Sequence, residues 1–363
     1  MRHKEKVMVA MSGGVDSSLA AAILKKKGYD VIGATMKLLP EEQQAKTHSP
    51  MPCCSLKGVE DAKEAAAKLG IPHYVFDFYD EFKNQVIDYF CNEYCGGATP
   101  NPCILCNQKI KFGLLLKKAL ELGCERIATG HYAKIGYARL NGRFFIKEGN
   151  DKARDQSYFL SFISQEALAR VVFPLGSLTK DKSRCMARKI GLAVHDKRSS
   201  QEICFINNHY VDYIKKRNRF GKSKGDILNR KGERIGTHKG VYFYTVGQRK
   251  GLGIAHKEAL YVTSIDISKN TITAGTKKDV MKKVFTVKSP FWYAIDGIIK
   301  PAAAMVKIRY GHKKARAVVE RLNNSELKVS FREPQEAPSP GQAAVFYRNG
   351  IILGGGWIAK VLE

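Results

Sequence analysis

A glycine- and serine-rich turn close to the amino terminus is the first stretch whose composition could do chemistry. It reads Ser12-Gly-Gly-Val-Asp-Ser-Ser18 and follows five apolar residues, Val7–Met11, that predict a short buried strand. Leu19–Lys27 predicts the helix that leaves the turn. Glycines can turn the backbone through conformations closed to other residues, and amides at a helix N-terminus bind anions. The turn therefore predicts a phosphate site.

Thiols are the second group of residues that could do chemistry. Cys103 and Cys106 form a Cys-x-x-Cys pair in Thr99-Pro-Asn-Pro-Cys-Ile-Leu-Cys-Asn107, where two prolines fix the backbone ahead of them. We expect a helix to begin near Asn107 and its positive N-terminal end to lower the pKa of a neighbouring thiol. A reactive thiolate, half of a zinc site and a redox pair all stay open for such a pair. Cys204, in an apolar strand-like setting, is on its own more typical of a buried core thiol.

The remaining cysteines are interpreted as structural. The chain has nine cysteines, an odd number, which argues against a disulfide framework. Adjacent cysteines such as Cys53 and Cys54 rarely chelate one ion. Four more lie in helical or apolar contexts and are expected to pack in the interior: Cys91, Cys95, Cys124 and Cys185.

Composition and charge are typical of a globular protein that binds a polyanion. With 363 residues, 44% of them hydrophobic, the chain is long enough for two or three domains. No apolar run approaches the ~18 residues that span a bilayer, and the apolar stretch after the basic N-terminus is too short for a signal peptide, so we expect a cytoplasmic protein without membrane contact. The formal net charge is +27, and nine basic residues fall between Lys215 and Arg234. A nucleic acid is the expected partner, although a solvated basic surface would give the same pattern.

The elements that must position these residues alternate between strand and helix. Strands are predicted at Val7–Met11, Tyr29–Met36, His73–Phe78 and Arg126–Thr129, with helices between them at Leu19–Lys27, Val59–Leu69, Glu81–Glu93 and Lys109–Leu122. This alternation predicts an α/β fold with a doubly wound, Rossmann-like parallel sheet. Ligands of such sheets bind beyond the carboxyl ends of the strands, where the glycine turn, Met36 and Gly130-His131 fall.

Beyond Leu140 the pattern changes twice. A hairpin is predicted around Asn141-Gly142, followed by helices through Arg188. Short strands separated by glycine turns, among them Tyr242–Val246, then predict a small β-rich domain. Five or six further strands between Val284 and Glu363 predict a C-terminal β-barrel.

The glycine turn is not the common mononucleotide loop, which ends in Gly-Lys-Ser/Thr. It resembles the SGGxDS pyrophosphate loop (PP-loop) of the ATP-pyrophosphatase superfamily, whose members split ATP between the α and β phosphates. Seven further blocks follow in order: ATPNPCILCNQKIKFG from Ala98, ATGHYA from Ala128, DQSYFL from Asp155, FPLG from Phe173, QEICFI from Gln201, YTVGQRKGLGI from Tyr244 and PGQAAVFY from Pro340. Together the eight blocks resemble the bacterial tRNA-specific 2-thiouridylase family over nearly the whole chain.

This resemblance implies ATP-dependent 2-thiolation of the wobble uridine of tRNA. ATP would adenylate the C2 oxygen of uracil, and a sulfur nucleophile would then attack C2 and release AMP. The implied partners are the anticodon region of tRNA and a sulfur donor, either a cysteine desulfurase relay or hydrosulfide. A catalytic domain at residues 1–206 would precede a central domain at 207–280 and a tRNA-contacting barrel at 281–363.

The resemblance also implies the site residues. Asp16 would work near Mg²⁺, Cys106 would be the nucleophile, and Cys204 would carry a persulfide and pair with Cys106 as a disulfide after transfer. The residues implied to hold ATP are Ala10, Met11, Ser12, Gly13, Gly14, Val15, Asp16, Ser17, Met36 and Gly130. Those implied to contact the target base or the tRNA are Asn101, Pro102, Cys103, His131, Arg154, Asp155, Gln156, Arg309, Tyr310 and Gln342.

Two positions depart from the family pattern. Cys103 and Ser199 stand where the family often has aspartate. Three thiols, Cys103, Cys106 and Cys204, are enough to hold a 4Fe-4S cluster by three irons and to leave the fourth iron open to hydrosulfide. A spare thiol at Cys103 is the alternative.

Three other functions stay open. A small-molecule adenylating ligase would use the same loop, although the basic charge and the lack of a glutaminase segment count against it. An RNA-binding protein with a degenerate nucleotide site is disfavoured because Ser12–Ser18 is intact. A relative that thiolates another RNA is left open by Cys103 and Ser199.

Overall fold

The chain divides into two compact units. The computed structural model describes residues 4–40, 56–197, 203–206, 210–217 and 224–362, so Cys53, Cys54, Ser199 and part of the basic run after Lys215 lie outside the described residues. The first unit contains Met1–Ile87, Pro102–Asn208 and Gly350–Ile352, and the second contains Asp88–Asn101, His209–Asn349 and Leu353–Glu363. Within the described ranges, no helix is long and apolar enough to cross a membrane.

A five-stranded parallel sheet is the core of the first unit. It consists of β1 (Lys6–Ala10), β2 (Asp30–Lys37), β3 (His73–Asp77), β4 (Arg126–Ala128) and β7 (Val171–Val172), arranged in the order β3-β2-β1-β4-β7. Val7, Met8 and Val9 are all fully buried, although alternate side chains of a strand point to opposite faces. Both faces of the sheet are therefore covered, and the parallel pairing of β1 with β2 and β4 confirms the predicted fold.

Helices account for most of the remaining first unit. Among the described residues of both units the α-helices are α1 (Val15–Lys26), α2 (Leu56–Leu69), α3 (Tyr79–Phe82), α4 (Asp88–Cys95), α5 (Pro102–Leu105), α6 (Leu116–Glu121), α7 (Gln165–Leu168), α8 (Lys180–Lys189), α9 (Tyr210–Arg217) and α10 (Lys277–Val280). Lys83–Ile87 and Cys106–Leu115 are π-helical, and Ser157–Leu160, Ala193–Asp196 and Val241–Phe243 are 3₁₀-helical. Small side chains let α1, α2 and α8 pack closely over β1, among them Ala20, Ala62 and Ala187.

An antiparallel hairpin also belongs to the first unit. Its strands are β5 (Ala133–Ala138) and β6 (Arg143–Glu148). Gly142 adopts φ 66° in the connection, a conformation that favours glycine. The hairpin predicted around Asn141-Gly142 is confirmed.

The second unit contains a small four-stranded sheet. It is formed by β8 (Gly225–Leu228), β9 (Arg234–His238), β10 (Tyr261–Asp266) and β11 (Thr271–Gly275), in the order β10-β11-β8-β9. The strand predicted at Tyr242–Val246 is wrong, because Val241–Phe243 forms a 3₁₀ turn after Gly240, whose φ is 141°. Tyr242 and Tyr244 are nevertheless buried in the hydrophobic cluster of this sheet, which explains the apolar pattern.

A closed β-barrel follows in the second unit. Its six strands are β12 (Met281–Trp292), β13 (Ala302–Lys307), β14 (Ala315–Arg321), β15 (Glu326–Glu336), β16 (Ala343–Arg348) and β17 (Ile351–Val361). They pair in the order β12-β15-β14-β13-β16-β17, and β17 pairs with β12 to close the ring. Alternate side chains fill the interior, including Phe285, Phe331 and Phe346. The predicted β-barrel is confirmed.

Candidate functional site

The turn between β1 and α1 is shaped by glycine and held by its own hydroxyls. Gly13 has φ 67°, and a Cβ there would lie 2.2 Å from the carbonyl oxygen of Gly58 in α2. Ser17 Oγ accepts from Ser12 N and donates to Gly14 O, both at 3.1 Å. Gly14 is the N-cap of α1 and offers no side chain to the amides of the first turn. Those amides are therefore the groups that this corner offers to an anion.

The end of β4 lies directly against this turn. A Cβ on Gly130 would lie 2.7 Å from the carbonyl carbon of Asp16 and 2.8 Å from the amide nitrogen of Ser17. The chain leaves β1 for β2 on one side and returns as β4 on the other, and such a switch point opens a crevice at the carboxyl ends. The structure thus brings the predicted ATP residues, Ala10–Ser17, Met36 and Gly130, to one edge of the sheet.

Two residues that the sequence analysis missed hold the carboxylate of Asp16. Lys180 Nζ donates to Asp16 Oδ1 at 2.7 Å and to Oδ2 at 2.6 Å, and the Tyr132 hydroxyl donates to Oδ1 at 2.8 Å. The Lys180 side chain is only 8% exposed. Burial lowers the pKa of Lys180 and the charge of Asp16 opposes that effect, whereas burial and then Asp16 raise the pKa of Tyr132, which stays a donor.

Sequence carried one signal for Lys180. It is the first residue of α8, where the helix dipole favours acidic side chains and disfavours lysine. A cation in that place is unfavourable unless an anion faces it, and here the anion is Asp16, 164 residues earlier.

A second lysine reaches the same turn. Lys197 Nζ donates to Gly13 O at 3.2 Å and forms an ion pair with Asp61 of α2. The side chains of Lys197 and Asp61 are 17% and 16% exposed. Lys180 and Lys197 each form an ion pair beside the turn, with Asp16 and Asp61, so neither adds net positive charge to it.

Cys106 lies inside a helix rather than ahead of one. The helix begins at Pro102 and continues from Cys106 with π-helical winding, so the predicted start near Asn107 is wrong. Proline is favoured in the first turn because its missing amide is not needed there. Cys103, not Cys106, thus occupies the first turn. Buried Asn107 anchors the helix, since its Nδ2 donates to Phe159 O at 2.8 Å.

Cys204 lies in a turn, and the strand-like setting predicted for it is wrong. Its neighbour Phe205 is 4% exposed and packs edge to face on Phe82, with ring centroids 5.8 Å apart. This contact fixes the turn to the hydrophobic core, while Cys204 itself stays partly buried, as does Cys103. Cys106 is 9% exposed.

The thiols do not form a metal site within the described part of the chain. No group of three or more His, Cys, Asp or Glu side chains there is arranged to hold a metal ion. The predicted 4Fe-4S cluster on Cys103, Cys106 and Cys204 needs three thiolates around one centre, and this arrangement does not provide it.

The other described cysteines only partly match their predicted packing role. Cys91 and Cys124 are buried and Cys95 is partly buried. Burial raises the pKa of the Cys124 thiol, which makes it unreactive. Cys185 is exposed on α8, so the expectation that it packs in the interior is wrong.

The segment Arg154–Gln156, which the sequence placed at the tRNA, turns two side chains inward. Asp155 is 7% exposed, and its carboxylate accepts from Gly149 N at 3.0 Å and from Ser157 Oγ at 2.7 Å. Gln156 Oε1 accepts from Tyr132 N at 3.0 Å. Burial raises the pKa of Asp155, although its hydrogen bonds oppose this. Arg154 and Gln156, on either side of Asp155, are both partly exposed.

His131 is neutral at physiological pH. Its Nδ1 shares a hydrogen bond of 2.6 Å with Thr129 Oγ1, and its ring packs against Phe112 and Phe173. Burial, and then the charge of Lys111, hold the pKa of His131 well below 6.5. A neutral imidazole offers RNA a hydrogen bond but no positive charge.

In the second unit, the residues before Asn101 are docked on the barrel. Gln342 Nε2 donates to Thr99 O at 2.8 Å, and Thr99 N donates to Pro340 O at 2.7 Å. On the other side, Tyr94 of α4 stacks on Tyr210, with ring centroids 4.6 Å apart. The carboxamide of Gln342, predicted to touch tRNA, is thus engaged in holding this segment.

Arg309 and Tyr310 follow strand β13 of the barrel. Arg309 Nη1 donates to Glu336 O at 2.7 Å, which fixes its guanidinium. Tyr310 is 40% exposed, and Lys307 Nζ lies 5.2 Å from its ring centroid. An exposed aromatic ring beside an ammonium is a surface on which a base could stack.

Known proteins resemble this chain over its full length. Three family descriptions match in series: "tRNA methyl transferase HUP domain" at residues 5–208, "tRNA methyl transferase PRC-barrel domain" at 212–276 and "Aminomethyltransferase beta-barrel domain" at 282–358. A tRNA-specific 2-thiouridylase MnmA of Clostridioides difficile is 45% identical over 363 residues, which cover 100% of both chains. The chain belongs to the tRNA-specific 2-thiouridylase family. The 2-thiouridylase of Acetivibrio thermocellus is also 45% identical, over 98% of this chain and 99% of that protein.

The observed sheets fall within the matched ranges of this 2-thiouridylase-family chain. The parallel sheet lies within the HUP match, β8–β11 within the PRC-barrel match, and most of the six-stranded barrel within the last. A solved 4-thiouridine synthetase in complex with RNA and ATP aligns with a TM-score of 0.35 and 16% identity, covering 58% of this chain and 50% of that one, too distant for a functional conclusion.

Adding one methyl group at Gly130 should impair ATP binding. In Gly130→Ala the new Cβ would meet the backbone of Asp16 at 2.7 Å and displace the turn. We expect the Kd for a non-hydrolysable ATP analogue, measured by calorimetry with Mg²⁺ and tRNA, to rise about tenfold or more, since overpacking costs ~1–3 kcal/mol. Gly311→Ala is the control, because nothing lies within 4 Å of a Cβ there. Equal Kd values for both variants would contradict the placement of ATP at this edge.

Mild acid should destabilise the chain through His131. Its pKa is about 6.5 when unfolded and well below that when folded, so below pH 6.5 the unfolded state binds the proton first and stability falls. The free energy of unfolding, measured with urea at pH 7 and at about pH 5.5, should fall less in His131→Gln than in the wild type. The difference between the two proteins should be at most about 1.4 kcal/mol per pH unit. His256→Gln, at an exposed position, should behave like the wild type. If His131→Gln lost as much free energy of unfolding between the two pH values as the wild type, the lowered pKa of His131 in the folded chain would be refuted.

Proposed function

We propose that this chain is an ATP-dependent transferase that replaces the C2 oxygen of the wobble uridine of tRNA with sulfur. The observation that carries the proposal is its identity of 45% to curated tRNA-specific 2-thiouridylases over the full length of both chains. The nucleotide corner around Gly13 and the thiols Cys103, Cys106 and Cys204 belong to one unit, as the two half-reactions require. The net charge of +27 suits a nucleic-acid substrate.

Activation of the oxygen comes first, because an amide-like carbonyl does not exchange oxygen for sulfur unaided. The C2 oxygen attacks the α-phosphorus of ATP, pyrophosphate leaves, and the oxygen becomes part of an AMP leaving group. The first-turn amides of α1 stabilise the negative charge of the departing pyrophosphate. Asp16 would hold Mg²⁺ together with the substrate phosphates once Lys180 moves off its carboxylate oxygens, and the ion would supply charge neutralisation to the phosphates.

Sulfur transfer follows at the same base. We assign the persulfide to Cys204: its terminal sulfur attacks C2 and AMP leaves with the oxygen. The Cys106 thiolate then attacks the Cys204 Sγ, which breaks the S–S bond, leaves sulfur on C2 and joins Cys106 to Cys204 as a disulfide. An external thiol reductant must reset the pair, and a persulfide-bearing protein must reload Cys204. This route needs no cluster at Cys103.

The tRNA would contact both units. We place the target base near Asn101, Pro102 and Cys103, and backbone contacts at His131 and at Arg154–Gln156, chiefly through the Arg154 side chain. Barrel contacts would come from Arg309-Tyr310 and the turn that contains Gln342. We place the reaction in the cytoplasm.

Nucleosides from a deletion strain test the proposal directly. Mass spectrometry of purified tRNA should show loss of 2-thiouridine derivatives at the wobble position and their return when the chain is supplied on a plasmid. Loss of a thionucleoside elsewhere would show that another RNA is the substrate. Unchanged nucleosides, together with AMP formation that needs no RNA, would favour a small-molecule adenylating ligase.

Single substitutions should separate the two half-reactions. Cys106→Ser and Cys204→Ser should lower thiolation to roughly one hundredth or less, because a hydroxyl can neither carry nor displace sulfur, while tRNA-dependent AMP formation persists. Asp16→Ala should remove AMP formation as well. The affinity for tRNA should stay nearly constant in all three and fall steeply with salt. Cys185→Ser, at an exposed thiol, is the control, and full thiolation by Cys106→Ser would disprove its assigned role.

A further inference from the structure

Gln156 holds the main chain of Tyr132 through two hydrogen bonds. Its side-chain Oε1 accepts from Tyr132 N at 3.0 Å, and its own backbone N donates to Tyr132 O at 3.0 Å. The Tyr132 amide is a donor, so the carboxamide of Gln156 must face it with the oxygen. The NH₂ group of Gln156, itself a donor, therefore points away from the Tyr132 amide. One residue thus fixes both polar groups of the Tyr132 backbone.

Tyr132 in turn holds the side chain at the nucleotide turn. Its hydroxyl donates to Asp16 Oδ1 at 2.8 Å, and Lys180, which pairs with both oxygens of Asp16, lies 5.9 Å above the tyrosine ring. The Tyr132 side chain is therefore in contact with both members of this ion pair. A shift of its backbone would move the hydroxyl relative to the Asp16 carboxylate.

The surroundings leave little room for such a shift. A Cβ on Gly149 would lie 2.8 Å from Tyr132 O, so the segment carrying Asp155 packs directly on this carbonyl. The carboxylate of Asp155 ties Gly149 N to Ser157 Oγ and closes that segment on itself. Close packing without flexible groups transmits a displacement instead of absorbing it.

We infer that Tyr132 is a positioning residue through which the Arg154–Gln156 segment controls the Asp16 carboxylate, so that correctly seated RNA aligns the nucleotide turn for adenylation. The inference rests on the proposed function, since it takes this segment as a tRNA contact. It gives Gln156 two separate tasks: the side-chain oxygen sets Tyr132, and we assign the NH₂ group of the same carboxamide to the RNA. It also accounts for a buried Asp155 next to an RNA-facing arginine.

Tyrosine and glutamine variants test the link, with tRNA-dependent exchange of pyrophosphate into ATP as the readout. Tyr132→Phe keeps the ring but removes the hydroxyl, and we expect kcat for exchange to fall roughly 10- to 100-fold, the usual range for a lost hydrogen bond to a charged group. The Mg²⁺ concentration at half-maximal rate should rise, and the Kd for tRNA should change less than about twofold. Tyr137→Phe, at an exposed tyrosine of β5, is the matched control.

Two substitutions at Gln156 separate its tasks. Gln156→Glu keeps an oxygen acceptor for Tyr132 N and removes the NH₂ donor, so KM for tRNA should rise while kcat at saturating tRNA stays within about threefold. Gln156→Leu removes both groups, and kcat should fall as in Tyr132→Phe. The double variant Gln156→Leu with Tyr132→Phe should be little worse than either single variant, because both interrupt one linkage.

The outcomes distinguish this inference from the proposed function. A wild-type chain without tRNA-dependent exchange would refute the function itself. Wild-type exchange together with full kcat in Tyr132→Phe, or additive losses in the double variant, would refute the inference alone. Loss of folding is checked by comparing urea midpoints of the variants with that of Tyr137→Phe.

Discussion

An ion pair between buried Lys180 and partly exposed Asp16, 164 positions apart in the chain, holds the nucleotide corner together. The amides at the start of α1 attract anions, and Asp16 lies in the same first turn. Lys180 neutralises the Asp16 carboxylate at 2.6 Å, and because the lysine is almost fully buried, removal of either partner would leave an uncompensated charge. Pairs of this kind add little net stability, so their value lies in fixing geometry. Helix α8 must therefore lie against α1, and β4 must end beside both.

Local pattern predicted the parallel sheet, the hairpin and the barrel because each depends on periodicity within a few residues. The turn at Ser12–Ser18 was predicted for the same reason, since glycine, strand and helix are adjacent in sequence. Lys180 and Lys197 were missed because their partners, Asp16 and Gly13, are distant in the chain. A lysine at the start of α8 is unfavourable for the helix dipole and so indicated a nearby anion, but the sequence did not identify Asp16 as that anion. The hydrophobic pattern of Tyr242–Val246 led to the wrong prediction of a strand, because the buried residues there lie in a turn.

The thiols illustrate a second limit of sequence reasoning. Counting three cysteines suggested a cluster, but ligation depends on the direction of each Sγ, and the described side chains are not arranged around one centre. Cys103 and Cys106 sit on a helix that starts earlier than expected, because Pro102 opens it. The π-helical winding from Cys106 changes which side chains share a face of the helix. No residue type in the sequence predicts that a helix will adopt this winding. The roles of these thiols stay a proposal.

The second unit takes one of its segments, Asp88–Asn101, from the middle of the first half of the chain. On the ribosome this segment emerges long before its partners Pro340 and Gln342, so it must wait for nearly all of the polypeptide to be synthesised. The residues leading into the cysteine helix therefore acquire these contacts only after the barrel has been synthesised. A nascent chain interrupted before the barrel would contain every residue of the nucleotide corner but would leave Asp88–Asn101 without its contacts to Pro340 and Gln342.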